Sequence, residues 1–349
     1  MSGGTAALTL AIGLMLTIPS VWADPHQTLA DDSPSDVASV WFDTLYDVVK
    51  SEATAPPPAA RIYGVAAIAL YEAVVPGAIH HRSLVGQLNG LVSVPQPKKH
   101  GTYHWPTVAN AALGHTIRGL FPSLKPESLE AVYALEQGFA ARFHTEVKPQ
   151  VYLRSAAHGR AVADAILAWA ARDGYPTVNH CPYTPTPVPG AWEPTPPGFT
   201  PAPLLPCWGD LRPMVLISGA ECAPPGHPEF STDTGSAFYA AAVEVYQTGL
   251  TLTPDQQTIA QYWTDGAGAT GTPPGHWIAI VGQLARTESL SLAAAAEAYA
   301  RVVSAVTDAL IAYWHAKYRS NLQRPMTSFH LAPPGLLGGI EWRTRRHWS

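Results

Sequence analysis

The chain has 349 residues, of which 47% are hydrophobic and 13% charged, and a formal net charge of −5. That is long enough for one large or two modest domains with a real core. The acidic balance excludes a nucleic-acid partner, which requires a basic face.

Residues 1–23 read as an export signal. An apolar run from Ala7 to Pro19 precedes Val21-Trp22-Ala23, with small or compact residues where a signal peptidase cleaves. The first seven residues carry no Lys or Arg, so their positive charge rests on the terminal amine. The run is too short for a comfortable membrane span. The expectation is an exported protein, periplasmic or secreted, with no stable span after cleavage.

Residues 24–174 read as a helical domain. Val37 to Lys50 places Val37, Val40, Trp41, Leu45 and Val48 on one face. The APPP at 55–58 breaks that helix, and Ala59 to Val75 forms a second one with so few charges that it should be buried nearly all round. Residues 80–104 read as loop. Further helices are predicted over Thr107 to Leu120, Pro126 to Phe143 and Val151 to Arg172. Nowhere do β-branched residues alternate over a strand length, so the predicted class is all-α: a helical bundle, a long Pro-rich excursion and an incomplete second bundle.

The excursion covers 175–232. Proline and glycine recur too often for helix or central strand, while Tyr183, Trp192 and Trp208 argue for an ordered wrap on the helical body. All three cysteines lie here. One disulfide, Cys181–Cys207 or Cys207–Cys222, would leave one thiol, and three free thiols are the other possibility.

Helix resumes over Ser236 to Gln247. Another begins after Thr253 as N-cap with Pro254 at the first position, and a third starts at Trp277, with His276 in the turn before it. Residues 233–331 read as the start of a second helical unit. Gly266, Gly268 and Gly271 spell GxGxxG, but a helix precedes them and Pro273-Pro274 follows, so a turn is expected rather than a dinucleotide site. His100 and His104 have metal-ligand spacing without an acidic third ligand; exposed loop histidines are expected.

The last helix is predicted to run from Tyr299 to Pro325. Tyr299, Val303, Val306, Leu310 and Tyr313 share a stripe on which Lys317 is the next position. Arg324 follows two turns later, and Trp314 leans onto the same face. A cation continuing an apolar stripe needs an anion, and no carboxylate lies one turn away along the helix. Either the pair binds a small anion, or Lys317 snorkels and Arg324 merely complements the helix dipole. Residues 332–349 lose helical period and end in a basic cluster.

Lys317, six residues and Arg324-Pro325 match the first oxyanion-binding motif of vanadium-dependent haloperoxidases and of the related type 2 phosphatidic acid and bacterial acid phosphatases. The surrounding DALIAYWHAKYRSNLQRP resembles the haloperoxidase helix. So do PPAARIYGVAAIALYEAV, GAWEPTPPGF–TPAPLLPCWGDLRP and QYWTDGAGATGTPPGHW, and the resemblance covers most of 36–330. It implies vanadate as cofactor, gripped by Lys317 and Arg324, with Trp314 near the halide. Hydrogen peroxide and halide would be the substrates, or a phosphate ester in the phosphatase variant.

The family's other two motifs are absent. Both PPGH copies precede Lys317, so neither His227 nor His276 inherits the acid–base role of Pro-Ser-Gly-His. No Ser-Arg dipeptide opens the motif that carries the axial histidine. No catalytic histidine therefore stands at an expected position, and no metal-ligand cluster is predicted. His315 should face away from Lys317, and His330 could approach a bound oxyanion. Three readings follow: a haloperoxidase truncated or frame-changed near Pro333 with little activity, an acid phosphatase of the same superfamily, or a non-catalytic exported protein that binds an anion or a partner. Oligomeric state is not legible.

Overall fold

The structure, a computed structural model, describes residues 29–195, 199–325 and 327. The export signal at 1–23, His330, Pro333 and the tail at 332–349 lie outside them.

The described residues form ten α-helices: α1 (Asp36–Ser51), α2 (Pro56–Val74), α3 (Trp105–Leu120), α4 (Pro126–Glu146), α5 (Pro149–Ala170), α6 (Tyr175–Val178), α7 (Ala237–Leu250), α8 (Pro254–Tyr262), α9 (Thr272–Thr287) and α10 (Leu292–Ser320). The class is all-α; among the described residues there are only isolated bridges and no strand. Seven of these helices carry proline at the first or second position. Proline there costs no hydrogen bond, because the first N–H groups of a helix have no intrahelical partner. Two sequence expectations change for this reason. Residues 56–58 begin α2 instead of separating it from α1, and α9 starts at Thr272, which puts His276 inside the helix.

Helix α2 is the axis of the bundle. Every residue from Ala59 to Val75 is buried, and α3, α5, α9 and α10 pack around it. Among the described residues one helix is long and apolar enough to cross a membrane, Pro56–Gly77, and 94% of its apolar window is covered by the rest of the protein. Its two charges are satisfied inside. Arg61 Nε donates to Asp173 Oδ2 at 2.6 Å and its Nη2 to Ala170 O at 3.0 Å, with the guanidinium 4.5 Å above the Tyr175 ring. Glu72 accepts from the Leu84 N–H and the Ser83 hydroxyl.

The core joins elements far apart in sequence. Phe42 of α1 stacks on Tyr299 of α10 with centroids 4.0 Å apart. Trp41 donates to Asn110 of α3, whose amide donates on to Glu136 O of α4. Fully burying each large side chain contributes about 1.5–3 kcal/mol. Between α3 and α5, Gly159 lies against Val108 O, where a Cβ would clash with backbone.

Helix α10 differs from its predicted form in two ways. Its buried face is Tyr299, Val303, Ser304, Thr307, Asp308, Ile311 and Trp314, while Val306 and Leu310 are half-buried and Tyr313 is 55% exposed. Two of the polar residues on the inner face have partners there: Thr307 donates to Ala60 O, and Asp308 accepts the backbone N–H groups of Met214, Val215 and Leu216 at 2.6, 2.8 and 2.9 Å. The helix also ends at Ser320, not at Pro325. Asn321 adopts the left-handed conformation, φ 44°, and its N–H donates to Lys317 O, a cap for which Asn is second only to Gly.

Burial pushes the His158 imidazole below its ordinary value, and burial does the same to His104 against a smaller opposing effect of Glu146. The folded state then binds fewer protons than the unfolded chain just below about pH 6.5, so stability falls as pH drops through that window. The urea midpoint should be lower at about pH 5.5 than at about pH 7.5, and His158→Gln should shrink the difference. Equal differences in the two proteins would remove His158 from this account.

Candidate functional site

The backbone after α10 doubles back onto the Pro-rich excursion. Asn321 O accepts the Trp192 N–H at 3.0 Å, Gln323 N–H donates to Gly190 O at 2.8 Å, and Leu322 bridges Ala191. The Tyr183 hydroxyl donates to Asn321 Oδ1. Arg324 is therefore not two helical turns beyond Lys317 but on an extended segment that returns beside it.

A cavity of about 480 Å³ results, lined on one side by Trp314, Lys317, Tyr318 and Arg324 and on the other by excursion residues including Tyr183 and Trp192. The structure thus gathers Lys317, Arg324 and Trp314 around one space. Lys317 is half-buried, its Nζ 4.9 Å from the Trp314 ring centroid and 5.8 and 5.9 Å from those of Tyr313 and Tyr318. Trp314 is buried, and its indole N–H is committed to Leu204 O at 3.2 Å, a carbonyl it shares with the Tyr318 hydroxyl. Arg324 is exposed at the cavity mouth.

The electrostatics favour an anion. Among the described residues no carboxylate lies within ion-pair reach of Lys317 or Arg324. Burial, and then the Arg324 charge, hold the Lys317 ammonium below the ordinary lysine value. Two cations that repel each other and lack an acid are relieved by a shared anion. Burial pushes the Tyr318 phenol up to about 12, so it stays a donor.

The disulfide is Cys181–Cys207, with Cα atoms 6.0 Å apart, and Cys222 is free and exposed. Every excursion residue that lines the cavity, from Tyr183 to Leu204, lies within the 26-residue span it closes. Cutting that tie frees one wall. Cys207→Ser should weaken oxyanion binding about tenfold through lost preorganisation, measured by vanadate titration; unchanged affinity would show that the wall holds without it.

The other histidines stand apart. His315 packs its backbone on Gly209 and Gly219, where no Cβ fits, and so faces away from Lys317. His227 is exposed. His276 stacks on Trp263 at 4.3 Å and bonds Asp265 at 3.0 Å. His100 is exposed, while His104 is half-buried and bonded to Thr107. Residues 266–271 form a turn with Gly268 at φ 82°. No group of three His, Cys, Asp or Glu residues able to hold a metal exists among the described residues. Sequence reasoning missed Tyr183, Tyr318 and Asn321; aromatic residues inside a Pro-rich stretch were the one signal available.

A bacterial vanadium-dependent iodoperoxidase of known crystal structure has the same fold, with a TM-score of 0.77 and 30% identity over 86% of this chain and 72% of that one. This chain belongs to the vanadium-dependent haloperoxidase family. No protein-family model and no curated protein matches it. For a haloperoxidase-family protein, the fit of the Lys317 cavity to an oxyanion can be judged from its donors. A half-buried ammonium and a guanidinium supply charge-assisted hydrogen bonds, and no acid competes for them.

Proposed function

We propose that Lys317 and Arg324 hold a tetrahedral oxyanion, vanadate in the first place, and that this cavity is the haloperoxidase site of the chain. The observation that carries the reading is the pair of cations sharing one aromatic-walled cavity without a carboxylate partner. Vanadate, when bound, supplies the activation of hydrogen peroxide for two-electron oxidation of halide. Lys317 contributes a half-buried ammonium 4.9 Å from the Trp314 ring centroid, in place before charge develops on the ligand. Arg324 contributes a planar fork at the mouth. Trp314, its N–H already taken, offers a ring face to the space beside the cations and is the candidate for the halide side.

The family's two histidine motifs, Pro-Ser-Gly-His and Ser-Arg…His…Asp, do not occur in these 349 residues. The Cys181–Cys207 bond supports the export reading, since such bonds persist in oxidising compartments.

The test is an assay of the full chain with vanadate, peroxide and bromide, beside a vanadate titration. Vanadate binding is expected, and bromination that depends on it would extend the reading to turnover. Phosphate-ester cleavage without vanadate would replace this reading with the phosphatase one, and absence of vanadate binding would overturn it.

A further inference from the structure

A second and larger cavity, about 800 Å³, opens on another face of α10. Its floor is a small-residue face made of Ala300, Ser304, Ala305, Ala309 and Ala312, with Asp308 among them. Asp308 is nine residues before Lys317 and so half a turn round the helix from it. At the far end Arg301 lies sixteen residues before Lys317, about 24 Å along the axis. The two cavities share no lining residue.

Both walls are fixed in advance, each by one buried carboxylate. Residues 80–88 are tied down by Glu72, which accepts from Leu84 and Ser83. Residues 214–216 are tied down by the three hydrogen bonds to Asp308. Apolar side chains, Leu84, Leu88, Val215 and Leu216, face the interior from these walls. A site of this size, mostly apolar with a few polar groups, has the character of small-molecule pockets.

The charges at the rim decide what kind of molecule fits. Glu297 is occupied by Arg301 at 2.6 Å and by His81 Nε2 at 3.2 Å. Asp308 is spent on backbone donors. Arg82 is exposed and has no carboxylate within ion-pair reach among the described residues. Among the described residues that line the cavity, Arg82 is thus the rim cation without a carboxylate partner, at the edge of a largely apolar chamber.

We propose that this cavity binds an amphipathic monoanion of the medium-chain carboxylic acid class. Its carboxylate meets Arg82 and its apolar body lies along the alanine face of α10. A doubly charged or wholly polar ligand would leave the floor unused, and a cation would meet acids already paired.

Isothermal titration of the full chain with decanoate, and with decanol as the uncharged control, tests it. Arg82 and Ala309 are exposed, so Arg82→Glu and Ala309→Trp should fold, as circular dichroism will verify. Wild type is expected to bind one decanoate. Arg82→Glu should weaken decanoate about tenfold or more and leave decanol unchanged. Ala309→Trp should abolish both, and neither variant should alter vanadate affinity. Failure of decanoate to bind at millimolar concentration overturns the proposal. So does equal binding to wild type and either variant, or an equal loss of decanoate and decanol in Arg82→Glu.

Discussion

Lys317→Met is expected to weaken vanadate binding about 10- to 100-fold while helix content stays unchanged. Methionine is an unbranched side chain of similar length beside Trp314, whose ring centroid lies 4.9 Å from Lys317 Nζ, so the charge is the main loss. Charge-assisted hydrogen bonds contribute about 1.5–3 kcal/mol, and each 1.4 kcal/mol is about tenfold in affinity. The pH dependence carries a second signature. Burial and the Arg324 charge lower the Lys317 value, so the ammonium is present below that value and is lost earlier than in a free lysine as pH rises. Vanadate affinity should therefore decline on the alkaline side, and the Met variant should lack that limb. Equal affinity in the two proteins would return Lys317 to a snorkelling surface residue.

The largest effect on stability is expected at Arg61. Arg61→Met leaves the Asp173 carboxylate buried without its cation, and breaking such a pair from one side costs about 3–5 kcal/mol. It also removes the donor to Ala170 O, one of the last carbonyls of α5, and the cation over Tyr175. Urea unfolding should show a markedly lower midpoint. Adding Asp173→Leu should recover part of the loss, because the second change removes the stranded charge. A midpoint within experimental error of wild type would mean that water reaches Asp173 when the guanidinium is gone.

Much of this fold is legible from residue spacing. The apolar periods at 37–50 and 151–172 and the near absence of charge at 59–75 gave helices within a few residues of α1, α5 and α2. Helix starts were less legible, since a proline pair reads equally as a breaker and as a first turn; at Pro254 the Thr253 cap marked the start. The inner face of α10 was misread for a different reason. Thr307 and Asp308 look like solvent residues until their partners at Ala60 and Met214 to Leu216 are in view, and those partners lie far away in sequence. For the candidate site, the spacing of Lys317 and Arg324 was visible, but the device that brings them together was not. Nothing local announces that Asn321 will turn left-handed, nor that Gly190 and Trp192 will bind the returning strand of backbone.

Helices α7 and α8 bury no residue. Their turns rest on intrinsic propensity and on the caps at Ser236 and Thr253, which in water barely sustain segments of this length. Deuterium exchange should accordingly divide the chain into two regimes. Amides from 237 to 262 would label by opening a turn at a time, whereas those of α2, enclosed on every side, would wait for the whole molecule to come apart.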